Sequence, residues 1–170
     1  MIITITGLPG SGKTSVAKEL AKHLHIKHYS MGDLFRKLAH KKHKNFIRLM
    51  KNNAKLVDYL DNEQKLIAKK NKNAIIDSRL GAYLIKNADY RIYVHASLNK
   101  RAKRVMKRDK QSYKEAVKDI LSRERFELEH YKKHYNIDYR DRSLYNIIIN
   151  TENYNVEKTV QKIRKKINSN

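Results

Sequence analysis

Cysteine is absent from the 170 residues, which removes disulfides, thiolate metal sites and thiol catalysis together. No apolar run approaches the roughly 18 residues that a membrane-spanning helix requires. The apolar opening Met1-Ile2-Ile3-Thr4-Ile5-Thr6 has no basic leader and stops at Gly7, so it reads as a strand rather than a signal peptide. A cytosolic protein without membrane attachment is expected. Acidic residues are scarce: 17 Asp and Glu stand against 39 Lys and Arg, a formal charge of +22. That surplus fits a phosphate-bearing or nucleic-acid partner. It also fits a chain rich in Lys, Asn, Ile and Tyr alike, and nucleic acid is not the favoured partner. With 40% hydrophobic and 33% charged residues, the chain has material for a core under a charged surface, and its length suits one domain.

Glycine and proline are scarce as well, and their placement is informative. Of five glycines, Gly7, Gly10 and Gly12 fall within six residues, beside the only proline, Pro9. Backbone freedom is concentrated at one turn. Around it, five short runs read as strands: Ile2–Thr6, Lys27–Ser30, Ala74–Asp77, Tyr90–His95 and Tyr145–Asn150. Between them the period is helical, with Val16, Leu20 and Leu24 on one stripe and Val156, Val160, Ile163 and Ile167 on another. Ser112 and Glu115 form a capping-box pattern that opens a long helix to about Tyr135. Strands alternating with helices predict an α/β fold, a five-stranded parallel sheet with helices on both faces. Ligands of such sheets bind beyond the carboxyl ends of the strands.

The turn itself, Gly7-Leu8-Pro9-Gly10-Ser11-Gly12-Lys13-Thr14 followed by Ser15, fits the phosphate-loop pattern G-x-x-x-x-G-K-[ST] between a strand and an amphipathic helix. The glycines let successive N–H groups turn inward on an anion, and the following helix aims its positive end at the same place. Lys13 is expected to reach the β- and γ-phosphates of ATP, and the Thr14 hydroxyl to coordinate Mg²⁺. The loop does not identify the acceptor.

Acceptor candidates follow the second and third strands. In Ser30-Met31-Gly32-Asp33-Leu34-Phe35-Arg36, Ser30 can hydrogen-bond a base or sugar, Gly32 permits close approach and Arg36 can grip a phosphate. The same residues fit a capped helix with a solvated arginine. The third strand ends at Asp77, suited to act on Mg²⁺ through water, and Ser78-Arg79-Leu80-Gly81 brings Arg79 toward a substrate phosphate. After the fourth strand, Arg101, Arg104 and Arg108 share a helical face, as do Arg123, Glu127 and His130 further on. Phosphoryl transfer needs cations around the migrating group, and a closing helical hairpin can deliver them. A solvated basic face is the competing reading. Tyr131, Tyr135 and Tyr139 are expected in the core.

Together these residues resemble the nucleoside monophosphate kinases, most closely the short, archaeal-type cytidylate kinases. Gly7–Thr14 is similar to the family's ATP loop, Ser30–Arg36 to its S-x-G-D-[LM]-x-R motif, and Ser78-Arg79-Leu80-Gly81 to its G-R-x-x-G signature, with Ser78 in place of the first glycine. Asn150-Thr151 resembles the I-N-T segment near the ATP base. The resemblance implies one P-loop kinase domain, with a helical acceptor flap at about 34–70 and a lid at about 101–135. It implies phosphoryl transfer from ATP to CMP or dCMP with Mg²⁺, by a monomer. Arg36 and Arg79 would hold the acceptor phosphate, with Ser30, Gly32, Asp33 and Gly81 around the acceptor. Arg101, Arg104, Arg108 and Arg123 would be lid or transition-state arginines. Where the family carries a further arginine this chain has His130, so His130, Lys132 or Lys133 would supply that charge. Other readings keep the fold but phosphorylate AMP, UMP or another metabolite, or make the chain an RNA- or ribosome-associated ATPase.

Overall fold

The computed structural model describes residues 1–38 and 54–169. Strand β1 (Ile2–Gly7) is buried at all six positions, because other strands flank it on both sides and helices cover both its faces. With β2 (Lys27–Ser30), β3 (Ala74–Asp77), β4 (Tyr90–His95) and β5 (Ile147–Asn150) it forms a five-stranded sheet in the order β2-β3-β1-β4-β5. All four pairings are parallel, and the registers Ser30↔Asp77, Ile5↔Asp77, Gly7↔Val94 and His95↔Asn150 bring the carboxyl ends to one rim. The expected sheet is therefore present, and Gly7, Ser30, Asp77 and Asn150 share the edge where ligands of such sheets bind.

One face of the sheet is covered by α1 (Lys13–Leu24) and, after the last strand, by α7 (Val156–Asn168). Val16, Leu20, Val160 and Ile163 meet Ile3, Ile5, Ile75 and Ile92 there. Burying each branched side chain contributes about 1.5–3 kcal/mol. The expected stripe of α7 holds except at Val156, which is exposed in the first turn. Helices α2 (Met31–Leu38), α3 (Ala54–Lys70) and the single turn α4 (Gly81–Leu84) with its C-cap Ile85 cover the other face through Met31, Ile67 and Ile85. Of the expected acceptor flap, residues 39–53 lie outside those described.

Between β4 and β5 the chain forms a hairpin of α5 (Leu98–Asp109) and α6 (Tyr113–Tyr135), closed by Ala102, Val105, Ala116 and Ile120. Both capping-box bonds at Ser112 and Glu115 are made, and α6 ends at left-handed Asn136. Its C-terminal half packs Tyr131 onto Tyr139 and Leu80, so these two tyrosines are core, while Tyr135 keeps its hydroxyl for a carboxylate. Strand β5 begins two residues later than the expected Tyr145. Tyr145 instead ends a 3-10 turn (Arg142–Leu144), packs its ring at a tilt against Tyr93 with 4.9 Å between centroids and donates its hydroxyl to the Tyr139 carbonyl. Asn146 spends its side-chain oxygen on the Arg91 N–H. Among the described residues no helix is long and apolar enough to cross a membrane.

Candidate active site

The phosphate loop leaves β1 at Gly7, where an added Cβ would collide with the Val94 carbonyl and lie 2.6 Å from Ser11 Oγ. Gly10 (φ 77°) and Gly12 (φ 92°) take the left-handed conformation, so neither tolerates a side chain without strain. Gly12 is also the residue that caps α1. The cradle of inward N–H groups is thus built by backbone geometry. Ser11 Oγ is buried inside it with no partner among the described residues, a polar atom suited to an anionic guest.

Two arginines of α5 hold this loop from behind. Arg101, 5% exposed, donates from Nη1 to the Pro9 carbonyl at 3.0 Å, from Nε to the Ala96 carbonyl at 3.1 Å, and pairs with Glu124 of α6. Arg104 donates to the Ser11 carbonyl at 3.0 Å and to Thr151 at its hydroxyl (3.0 Å) and carbonyl (2.8 Å). The Thr151 hydroxyl in turn donates to the Ser11 carbonyl. The I-N-T segment therefore ends as a brace on the loop. Arg108, the third arginine of that face, lies at the exposed end of α5 and pairs with its neighbour Asp109. The remaining loop residues are less engaged: Leu8 is half-buried in the cluster around Tyr131 and Ser15 is exposed on α1.

In front of the loop, Asp77 at the end of β3 gathers the two reactive side chains. Lys13 Nζ donates to its Oδ1 at 2.8 Å and Thr14 Oγ1 to its Oδ2 at 2.5 Å. Burial alone would raise the Asp77 carboxyl, but the Lys13 charge and the bonds from Lys13 and Thr14 outweigh it and hold the group well below the usual carboxylate range. The Thr14 hydroxyl beside an ionised carboxylate is a hard-oxygen donor set of the kind Mg²⁺ takes, so the residues fit the metal expected from the sequence.

The acceptor-side residues fall into two groups. Ser30 Oγ accepts from the Asp33 N–H at 3.2 Å and Arg36 pairs with Asp33, so this stretch does form a cap with a partly exposed arginine, and Gly32 lines a cleft beside it. Arg79 is held more firmly. Its Nη1 donates to the Gly7 carbonyl and its Nε to Glu127 Oε2 at 2.7 Å, while Arg123 Nε donates to the other oxygen, Oε1, at 2.8 Å. Tyr139 adds its hydroxyl to Glu127 at 3.1 Å. Burial would raise Glu127, yet the two guanidinium charges bring it down to about 2. Gly81 does not line the cleft; a Cβ there would come within 2.8 Å of Ser78 Oγ and 3.2 Å of the Thr4 side chain, which gives that glycine a packing reason.

The cleft lies between α2, α3, the end of β3 and α6. Met31, Phe35, Val57, Leu60, Leu80 and Tyr131 supply apolar walls, and Lys13, Asp77, Arg79, Arg123 and Glu127 its charged end. Sequence reading passed over two further members, Asp61 and Gln64, and the use made of Ser78. Gln64 stands in the apolar stripe Val57, Leu60, Ile67 of α3 and is 2% exposed, and that break in the stripe is the signal that marks it. The Ser78 hydroxyl, at the position where the resembled signature has glycine, donates to Gln64 Oε1 at 2.7 Å. His130 stacks on Phe126 and meets His134 at a tilt, with centroids at 5.7 and 4.4 Å. Burial first and His134 second lower its pKa, so it is not built as a standing cation; Lys132 and Lys133 are exposed.

Known proteins resemble this chain in sequence and in fold. The family model described as the cytidylate kinase-like family matches residues 2–153. The chain is 40% identical over 157 residues to a protein named cytidylate kinase from Sulfurisphaera tokodaii, covering 90% of this chain and 87% of that one. It is 36% identical over 170 residues to another of that name from Archaeoglobus fulgidus, covering 98% and 94%. A shikimate kinase structure from Bacteroides thetaiotaomicron superposes with a TM-score of 0.69 at 16% identity, covering 99% of this chain and 98% of that one, a likeness of fold.

Proposed function

Since the chain belongs to the cytidylate kinase-like family, we infer that it transfers the γ-phosphoryl group of ATP to CMP, giving ADP and CDP. One observation carries this beyond family likeness. Arg79 joins the phosphate loop to the cleft, with one nitrogen on the Gly7 carbonyl and another on the Glu127 carboxylate. A nucleoside monophosphate needs apolar walls for its base and guanidinium groups for its phosphate, and the cleft offers both next to the ATP cradle.

In this reading Gly7–Thr14 and Ser15 hold ATP, with Lys13 on its β- and γ-phosphates. Thr14 directly and Asp77 through water would hold Mg²⁺, which when bound neutralises charge on the ATP phosphates. Arg36 and Arg79 take the acceptor phosphate, with Ser30, Gly32 and Asp33 shaping its surroundings, while Gly81 keeps its packing role against Ser78 and Thr4. Arg123 and Arg108 serve the charge that spreads over the migrating group, and Arg101 and Arg104 keep the loop in the shape that receives it. Transfer is in line, from the γ-phosphorus to the acceptor phosphate oxygen, without a covalent enzyme intermediate. The hairpin of α5 and α6 limits water at the transfer site, and dCMP is an acceptor of the same class.

The test is ADP formation from Mg·ATP with CMP, dCMP, UMP or AMP added singly, beside a control without acceptor. Turnover with CMP on the order of 1–100 s⁻¹ is expected, far above the control. No acceptor-dependent rate would end the kinase reading. Replacing Lys13 with Ala is expected to cost roughly 10²–10³-fold in turnover with unchanged circular dichroism.

A further inference from the structure

We propose that Asp61 and Gln64 of α3 form the reader that selects cytosine over uracil in the acceptor pocket, an inference that rests on the CMP kinase reading and deepens it. Both side chains line the cleft, beside its apolar walls. Each is held by a hydrogen bond from another element. The Ser78 hydroxyl donates to Gln64 Oε1 at 2.7 Å, the Tyr135 hydroxyl of α6 donates to Asp61 Oδ2, and Gln64 Nε2 donates to Asp61 Oδ1 at 3.1 Å.

The orientation of the Gln64 amide follows from chemistry. An ionised carboxylate only accepts, so the nitrogen of Gln64 must face Asp61 and the oxygen must face Ser78. A carboxylate has about four acceptor sites and an amide nitrogen two protons. After the bonds above, Asp61 retains acceptor capacity and Gln64 Nε2 one N–H, side by side. That is an acceptor next to a donor. Cytosine presents the complement, an N4 amine that donates beside an N3 that accepts. Uracil presents the reverse, O4 accepting beside N3–H donating, so it would set oxygen against carboxylate and N–H against N–H. Buried polar groups left unpaired in this way reject a ligand more strongly than a missing apolar contact does.

Adenine carries the same donor–acceptor pair as cytosine on its pairing edge. The device therefore discriminates against uracil, and exclusion of a purine falls to the size of the pocket. Ser78 and Tyr135 act as positioning residues, one from the segment after β3 that carries Arg79 and one from α6.

The experiment measures kcat/KM for CMP and UMP with wild type, Asp61→Asn and Gln64→Met, together with calorimetric binding of each nucleotide without ATP. Asp61→Asn is nearly isosteric and offers an N–H to O4 where the carboxylate accepted from N4. The CMP-to-UMP preference is expected to fall about 10–100-fold in Asp61→Asn, with a fall in the same direction in Gln64→Met. The KM for ATP should stay at the wild-type value. If the wild type uses CMP and a folded variant of either kind keeps the wild-type ratio, with CMP and UMP weakened by the same factor, this inference is overturned alone. If the wild type phosphorylates no acceptor, the CMP kinase reading fails first.

Discussion

Two groups of arginines flank the phosphate loop, and they differ in the balance of their partners. Arg101 also pairs with Glu124 and Arg79 also donates to the Gly7 carbonyl, but main-chain carbonyls dominate behind the loop and one shared carboxylate in front of it. Behind it, Arg101 and Arg104 are bound to main-chain carbonyls of Pro9, Ala96, Ser11 and Thr151. In front of it, Arg79 and Arg123 share one buried carboxylate, Glu127. A carbonyl in a fixed turn is a permanent partner, because releasing it would leave a buried polar group unpaired. A carboxylate between two guanidinium groups presents them with the anionic oxygens that a phosphate would also present. The first group thus sets the shape of the loop, whereas the second is poised for an anion. In the proposed reading the same residue type serves the scaffold on one side and the substrate on the other.

The largest effect that sharpens this contrast is expected at Arg79. Arg79→Ala should lower kcat/KM for CMP by roughly 10³-fold, within the range lost when a guanidinium on a transferring phosphoryl group is removed. Arg79→Lys should recover little of it, since an ammonium cannot reproduce the fork. Next comes Glu127→Gln, which leaves two part-buried cations without their buried anion and should cost about 3 kcal/mol in unfolding free energy by denaturant titration. Its pH dependence has a definite sign. Glu127 titrates near 2 in the folded chain against an ordinary 4.5, so the unfolded chain takes up this proton first as pH falls. The stabilisation is present above pH 4.5 and is lost between 4.5 and about 2, and Glu127→Gln should lack that part of the acid transition. On the other side of the loop, Arg104→Ala should cost about 1.5–3 kcal/mol and raise the KM for ATP while sparing CMP affinity. Smallest of all, Arg108→Ala should stay within about 0.5 kcal/mol of wild-type stability, because its pair with Asp109 is exposed. A large loss of stability at Arg108 would erase the distinction drawn along the face of α5.

Much of this frame was legible in the chain itself. Concentrating glycine at Gly7, Gly10 and Gly12 marks the loop because left-handed backbone leaves few alternatives. Strands β1, β3, β4 and β5 were legible because a buried parallel sheet demands near-continuous apolar runs, whereas the edge strand β2 is polar and less buried. The start of β5 was not, since Tyr145 has strand character and only its packing on Tyr93 shows that it ends a turn. Helical spacing correctly put Arg101, Arg104 and Arg108 on one face, but spacing does not reveal what the face meets, here a loop more than 90 residues earlier for two of them. Likewise Asp61, Gln64, Ser78 and Tyr135 are ordinary polar residues in one dimension. They become a network only when α3, the segment after β3 and α6 are brought together.

Calorimetric titration of CMP into wild type, Arg79→Ala and Arg104→Ala tests the division most directly. The account predicts at least a tenfold loss of CMP affinity, about 1.4 kcal/mol, in Arg79→Ala and wild-type CMP affinity in Arg104→Ala. Equal losses in both variants, or a loss confined to Arg104→Ala, would contradict it.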